Sequence, residues 1–211
     1  MGAISYIQPS EQLTQTDRKE SRINAMASGI VRAYSKSIGN PDQDYPTMKD
    51  VRGDAARVAY VKSQVMAGNP PASLDIREMQ PILDAVTVLD QWNTAALAVV
   101  GAAYSVFQAV PAPANPNNRI IVFYKVGIET PAGPVSRLLF RSGGAAGNTL
   151  AVFDLEQILN SLVVEGYFSE PVVIDPAITY AVQVLARIAT GLLARVQLGN
   201  FVIEPNGQTI A

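Results

Sequence analysis

The sequence predicts an α+β fold in which an N-terminal helical segment is followed by an antiparallel β-sandwich that is jelly-roll-like. Before Trp92 the apolar residues recur every three or four positions, as on one face of a helix, and after it they alternate, as in strands with one buried face. Short apolar segments then follow one another with turn residues between most of them, which is typical of sandwiches. We divide the chain into an extended arm, a helical region and a sandwich domain, at residues 1–16, 17–92 and 93–211.

The first sixteen residues are polar with scattered apolar side chains, and we expect them to form an extended arm. Ile4, Tyr6 and Ile7 are the apolar positions that would dock this arm on a neighbouring subunit, so they are our candidate partner-binding residues. A terminus without fixed structure is the other explanation of the same composition.

The helical region shows three patterns of apolar residues at helical spacing. The first helix is expected over residues 17–38, where Asp17 and the glutamate three residues later have the spacing of a capping box. The second is expected to begin at Thr47 and to end before Gly68. A third is expected within residues 73–91, although it contains a proline that must either begin the helix or kink it.

The sandwich domain begins with an ambiguous segment. Residues 93–110 are rich in alanine, which suits a helix, but they also hold valine and aromatic residues and lead into a turn rich in proline and asparagine, so we favour a strand. A short helix is expected over residues 155–164. The later strands are expected at residues 119–129, 134–141, 149–154, 167–174, 178–190 and 192–204.

The last two of these strands show the clearest alternation, and we expect them to form a hairpin about Gly191. In the first, the apolar side chains of Tyr180, Val182 and Val184 fall on one face. In the second, the apolar positions shift by one residue after Gly199-Asn200, which predicts a β-bulge at that point.

The chain contains no histidine and no cysteine. This excludes Ser-His-Asp triads, imidazole bases, thiolate nucleophiles, disulfides and the usual zinc sites. The glycine-rich residues 142–148 lack the Gly-Lys-Ser/Thr ending of a phosphate-binding loop, and Asp42 and Asp44 lack the glycine and distal glutamate of a calcium loop. We interpret the first segment as a hairpin loop and the second as a solvated turn.

Carboxylates at the ends of predicted strands are the remaining candidates for catalysis. An enzyme that works through two carboxylates needs them about 5–10 Å apart in a cleft, whereas acidic residues at strand ends are usually solvated. We therefore predict no catalytic residue, no metal site and no cofactor, and hence that the chain is not an enzyme. The candidates weighed are Asp154, Glu156, Glu165, Glu170 and Asp175.

Charged residues are sparse, at 16% of the chain, and the formal net charge is −2. No basic cluster suits nucleic acid and no basic amphipathic helix suits a membrane surface, so we predict neither partner. The N-terminus lacks the pattern of a signal peptide. Residues 93–211 carry only 13 charged side chains over 119 residues. We therefore expect helices or neighbouring subunits to cover the outer faces of the sandwich, and we predict a homo-oligomer.

The segment Gly166-Tyr-Phe-Ser-Glu-Pro-Val-Val-Ile-Asp-Pro176, with the two strands that follow it, resembles the final strands of β-sandwich virion proteins of bacteriophages. These are capsid cement or decoration proteins and small jelly-roll capsid proteins. The resemblance implies a subunit, made in the host cytoplasm, that stabilises the capsid exterior by bridging neighbouring capsomers. Its partners would be the major capsid protein or other virion proteins, and a trimer is favoured.

Two other functional classes stay open on the sequence. One is a carbohydrate- or receptor-binding β-sandwich module of a tail or surface structure. The other is an enzyme that uses carboxylates alone, which the absence of histidine, cysteine and any serine-centred elbow disfavours.

Overall fold

The computed structural model confirms the α+β fold, with helices packed on a β-sandwich of two sheets. The structure describes residues 4–80, 92–107, 112–129, 133–159 and 164–207. The helices are α1 (Gln15–Ser35), α2 (Pro41–Asp44), α3 (Asp54–Met66) and α4 (Glu156–Leu159). The strands are β1 (Ile4–Ser5), β2 (Ile7–Pro9), β3 (Leu74–Arg77), β4 (Ala103–Ser105), β5 (Ile120–Ile128), β6 (Val135–Ser142), β7 (Asn148–Asp154), β8 (Glu165–Ile174), β9 (Tyr180–Ala186) and β10 (Val196–Pro205).

Each sheet contains five of the described strands. Sheet A has the order β1-β7-β6-β9-β4, and sheet B has the order β2-β8-β5-β10-β3. The pairing is antiparallel except between β1 and β7. Among the described strands only β6 and β7 are both consecutive and paired, because the chain otherwise crosses to the other sheet or skips a neighbour. Such crossings are typical of Greek-key and jelly-roll sandwiches.

The core between the sheets is built around aromatic rings. Phe123, Phe140 and Tyr180 are completely buried there, and so is Phe153, which stacks on Phe168 with the two ring centroids 4.0 Å apart. These rings come from β5, β6, β9, β7 and β8, so both sheets contribute. Aromatic contacts of this kind add to the free energy that area burial alone supplies.

A second core lies between α1 and the outer face of sheet B. Ile30 and Tyr34 from the helix are buried against Val122 of β5 and Ile203 of β10. The molecule therefore has three layers, with helices on sheet B and sheet B on sheet A. This arrangement explains why β5 is apolar on both faces, since one face meets sheet A and the other meets α1.

The first helix starts earlier than the sequence predicted, because its capping box lies at Thr14 and Asp17. The Thr14 side-chain oxygen accepts a hydrogen bond from the Asp17 backbone N–H at 3.2 Å, and the Asp17 carboxylate accepts one from the Thr14 N–H at 2.9 Å. Thr14 therefore takes the N-cap position that we had assigned to Asp17. The helix ends at Ser35, and Ile38 is buried in the turn that follows it.

The predicted second helix is shorter, and the predicted third helix is wrong over residues 73–80. Pro46–Asp50 forms a 3₁₀ turn, and Gly53 has a φ of +86°, so α3 begins only after this break. Residues 74–77 form β3 at the edge of sheet B, because β10 offers them a partner that is distant in sequence. The rest of the predicted third helix, residues 81–91, lies outside the described residues.

The last two strands do not form the predicted hairpin. β9 pairs with β6 and β4 in sheet A, whereas β10 pairs with β5 and β3 in sheet B. The predicted bulge at Gly199 and Asn200 is confirmed by a shift of register against β5. Asn200 is buried there, and its side-chain oxygen accepts a hydrogen bond from the Met79 N–H at 2.7 Å while its amide donates to the Leu198 carbonyl at 2.7 Å. The bulge thus holds the residues that follow β3 against sheet B.

In the ambiguous segment that opens the sandwich domain, the strand prediction holds for residues 103–105, which form β4. Residues 95–102 form a loop, and residues 108–110 lie outside the described part of the chain. Of the predicted short helix, the first turn is present as α4 and residues 160–163 are likewise not described.

Candidate interaction surfaces

Within the described residues there is no group of three or more metal-binding side chains that could hold an ion. Most of the carboxylates that we weighed for catalysis have a structural partner instead. Asp154 accepts a hydrogen bond from the Glu156 N–H at the start of α4, at 3.0 Å. Lys125 donates to Glu165 at 2.6 Å, and Arg32 donates to Asp175. Three of the five candidate carboxylates therefore cap or crosslink elements of the fold.

Asp175 ties the end of β8 to the helix layer. Arg32 on α1 donates from two nitrogens to its two carboxylate oxygens, at 2.6 and 2.5 Å, and Lys36 approaches to 3.2 Å. The hydrogen bond from Arg32, followed by that from Lys36, lowers the pKa of Asp175 below its ordinary value. The paired side chains are partly exposed, so solvent weakens the pair.

We expect Asp175→Asn to lower the free energy of unfolding at pH 7 by about 1 kcal/mol. Because the folded-state pKa lies below the unfolded value, the carboxylate stabilises the fold above its ordinary pKa and loses this effect as the pH falls through the lowered value. Urea unfolding at several pH values measures this difference, which should shrink in acid. Glu170→Gln, at an exposed position of β8, the strand that Asp175 follows, is the control.

The outer face of sheet A carries apolar side chains from three strands. Leu138 and Phe140 point into the core between the sheets, so Leu139 points outward, where the register places it opposite Val152 of β7. Leu150 also lies on this outward side and is 41% exposed. We call Leu139, Leu150, Val152 and Leu185 the sheet A face.

The helices do not lie on this face in the described part of the chain. α1 packs against β5, β8 and β10 of sheet B, α3 packs against α1, and α4 contacts β2 at the edge of sheet B. Arg137 and Asp154 are directly opposite each other in the register at one end of the face. Leu139 is only 7% exposed, and the buried Gln183 of β9 lies opposite it in the register. Arg141 lies at the other end of β6, opposite Thr149. The exposed apolar surface of the sheet A face is therefore carried by Leu150, with Val152 and Leu185 partly exposed.

A second apolar surface lies at one end of the sandwich, on two adjoining loops. The loop before β4 and the loop between β9 and β10 are joined by hydrogen bonds from the Leu97 N–H to the Leu192 carbonyl, at 2.9 Å, and from the Gly191 N–H to the Leu97 carbonyl, at 3.0 Å. Five large apolar side chains on these loops are exposed by 42% to 67%. We call this set the apolar tip, and it consists of Val99, Val100, Ile188, Leu192 and Leu193.

The apolar tip was missed in the sequence, although a signal was present. Residues 94–103 and 188–194 contain no charged residue, and each stretch has a glycine beside a pair of apolar residues. We took both stretches for strands whose apolar residues are buried, because alternation and composition do not distinguish a buried strand from an exposed loop. Only the turns at Gly101 and Gly191, with φ of +78° and +66°, bring these side chains to the surface.

A cleft of 590 Å³ lies beside the bulge on β10. Trp92 forms part of its wall and packs on Phe107, with ring centroids 5.2 Å apart. Glu129 and Gln197 also line the cleft and are hydrogen-bonded to each other. An aromatic wall beside such polar groups is a usual composition for a small-molecule site.

The arm residues have different environments in the structure. β1 joins sheet A and β2 joins sheet B, so the arm closes one side of the sandwich of its own chain. Ile7 is completely buried in the core between the sheets, and this burial accounts for its apolar character without a neighbouring subunit. Tyr6 is 52% exposed. The backbone of Ile4 pairs with Val152, and its side chain lies outside the described part of the structure.

Comparisons with known proteins identify no family for this chain. No protein-family model and no curated protein matches it. Among solved structures, the mosquito-larvicidal Cry4Aa toxin from Bacillus thuringiensis is similar over 52% of this chain and 19% of the toxin chain, with 12% identity and a TM-score of 0.24. A TM-score this low supports no inference about fold or function. None of the helices in the described ranges is long and apolar enough to cross a membrane.

Proposed function

We propose that this chain is a virion structural protein, a capsid cement or decoration subunit that forms a homo-oligomer and bridges neighbouring capsomers on the capsid exterior. The observation that supports it best is the sheet A face, which has the exposed Leu150 and the partly exposed Val152 and Leu185 and carries no helix from the described part of the chain. The resemblance of the closing strands to virion sandwich proteins is the reason that we propose a capsid as the place where this surface binds. Binding by such a surface comes from shape and apolar burial and requires no catalytic residue.

The structure separates two sets of apolar residues that the sequence treated together. The outward residues of β5 are covered by α1 within the chain, so they no longer argue for a neighbour. Leu139 of β6 is also buried, so the outward residues that remain are Leu150 and Val152 of β7 and Leu185 of β9. A partner that covered them would remove apolar surface from water at a gain of about 25 cal/mol per Å². The sheet A face is therefore the surface on which we place the subunit contact.

We expect Leu150→Glu to weaken self-association at least tenfold, because it places a charge at the most exposed apolar residue of the proposed contact. Sedimentation velocity of the purified chain at micromolar concentration measures this change. Met66→Glu is the matched control, because Met66 is 57% exposed on α3, in the helix layer, and lies outside the proposed contact. Circular dichroism of both variants checks that the fold is retained.

A wild-type chain that stays monomeric at micromolar concentration would contradict the proposed oligomer. Immunogold labelling of virus particles whose genome encodes this chain tests its location. Regular labelling of the particle surface supports a decoration subunit, and labelling only at the tail contradicts it.

The cleft beside Trp92 favours one other function, a carbohydrate- or receptor-binding module. An indole wall and hydrogen-bonding groups such as Glu129 and Gln197 suit the apolar face and the hydroxyl groups of a sugar ring. Glycan-array binding by a monomeric chain, abolished by Trp92→Ala and unaffected by Leu150→Glu, would favour this function over the virion subunit.

A further inference from the structure

Part of the backbone of the apolar tip is hydrogen-bonded within the two loops. The Ala98 and Val99 N–H groups both donate to the Tyr104 hydroxyl, at 2.9 and 2.8 Å. Across the loops, the Leu97 N–H donates to the Leu192 carbonyl and the Gly191 N–H donates to the Leu97 carbonyl. The Leu192 N–H donates to the Thr190 hydroxyl at 3.1 Å. In an apolar medium each unpaired backbone group costs several kcal/mol, so these bonds lower the cost of burying the tip.

The two loops are held firmly at their base. Leu97 and Ala194 are completely buried and belong to the core between the sheets. Two hydrogen bonds connect Thr94 and Ala194. The Thr94 N–H donates to the Ala194 carbonyl, and the Ala194 N–H donates to the Thr94 hydroxyl. A Cβ built on Gly101 or Gly191 would meet no atom within 4 Å, so both turns project into open space. The tip is therefore a fixed projection with apolar side chains at its end.

The size of the tip is small for a stable contact between two proteins. If each of the five side chains contributes roughly 100 Å², the exposed apolar area is on the order of 500 Å², which is high for a patch on a monomer. A stable protein pair needs about 800 Å² from each partner and a complementary surface. A lipid interface has no such requirement, because acyl chains adapt to the shape of what enters them.

Charge near the tip also favours a lipid surface over a second copy. The tip loops carry no charged residue over residues 94–103 and 188–194, and Arg187 stands exposed where the second loop leaves β9. Two copies that met symmetrically through their tips would bring two Arg187 side chains towards each other. Anionic headgroups would instead complement this cation while the apolar side chains enter the acyl boundary.

We propose that the apolar tip inserts into the interface of an anionic lipid bilayer, with Arg187 at the level of the headgroups. This inference is independent of the proposed function. It also departs from our sequence-based expectation of no membrane partner, which considered only basic amphipathic helices. The contact is peripheral, because it uses two loop ends and no spanning element.

Flotation of the full chain with vesicles of phosphatidylcholine, with and without phosphatidylglycerol, tests the proposal. We expect the wild type to bind the anionic vesicles, and we expect Leu192→Asp and Val100→Asp each to reduce binding at least tenfold. Met66→Asp, on an equally exposed apolar residue in the helix layer, should bind as the wild type does. Arg187→Gln should reduce the preference for anionic vesicles while leaving weak binding to neutral ones.

Other outcomes would overturn the proposal. Absence of wild-type binding to anionic vesicles would do so, and so would equal losses in Met66→Asp and Leu192→Asp. If Leu192→Asp instead converted a free oligomer into a monomer, the tip would be a contact between copies. Leu150→Glu should leave vesicle binding unchanged, so failure of the lipid proposal and failure of the virion proposal are distinguishable.

Discussion

Replacing Gly29 by valine should lower the free energy of unfolding by about 3 kcal/mol, because α1 has no room for a side chain where it crosses sheet B. A Cβ on Gly29 would lie 2.6 Å from Cγ2 of Val122 and closer still to Cδ1 of Ile203. Both neighbours are completely buried, so neither can turn towards solvent. The helix would have to move away from the sheet and open the second core. Urea unfolding, followed by the shift of the midpoint at constant slope, measures the loss.

Two further variants separate packing from helix propensity. Gly29→Ala gains about 1 kcal/mol of helix propensity but adds the same colliding Cβ, so we expect a smaller net loss than for valine. Lys19→Val places valine at an exposed position of the same helix and should cost only about 0.5 kcal/mol. Equal losses in Gly29→Val and Lys19→Val would show that the close approach is unimportant.

Replacing Asp44 by asparagine should lower the free energy of unfolding by about 2–3 kcal/mol, because one carboxylate joins three parts of the helix layer. One oxygen accepts hydrogen bonds from the Ala72 and Ser73 N–H groups at 2.9 and 3.0 Å. The other accepts from the Tyr34 hydroxyl at 2.6 Å and from the Ser73 hydroxyl. Burial, and next the hydrogen bond to Asp44, raise the pKa of Tyr34, so its hydroxyl stays protonated and donates. An amide nitrogen in place of one oxygen would face a donor.

Asp42→Asn is the matched control, since it makes the same change of charge two residues earlier in α2 at an exposed position. It should change the unfolding free energy by less than about 0.5 kcal/mol. If both variants lost the same amount, the effect would come from net charge or the helix terminus rather than from the hydrogen bonds. Asp42 and Asp44 thus differ fully in role, although the sequence presented both as members of one solvated turn.

Several features of this protein are determined by sequence that is close along the chain. Alternation identified most of the strands, because side chains two residues apart must point to the same face. The bulge at Gly199 and Asn200 was visible because the alternation shifts there by one residue, and the structure confirms the shift in register. The end of α1 was placed three residues too late, at residue 38 instead of Ser35. Its start was misplaced by two residues, since Thr14 with Asp17 and Asp17 with Glu20 have the same capping-box spacing.

Alternation within a strand does not determine which other strand it pairs with. The strands on either side of Gly191 have the pattern of a hairpin, yet they belong to different sheets. β9 pairs with β6 and β10 pairs with β5, and these pairings are more favourable than pairing between β9 and β10. Residues 74–77 carry a pattern that is compatible with a helix, and only the open edge of β10 makes them a strand. Strand pairing depends on contacts between residues that are distant in sequence, so a short stretch of sequence does not determine it.

The surfaces of the protein also depend partly on the local sequence and partly on the tertiary structure. The sequence by itself established that the chain lacks histidine and cysteine and that its second half is poor in charge, which directed attention to association rather than chemistry. It did not establish which apolar residues are exposed. Ile7 is in the core, the outward residues of β5 are covered by α1, and Leu192 is 67% exposed at a loop end. Burial is a property of what packs over a residue, and that is decided only when the layers of the fold come together.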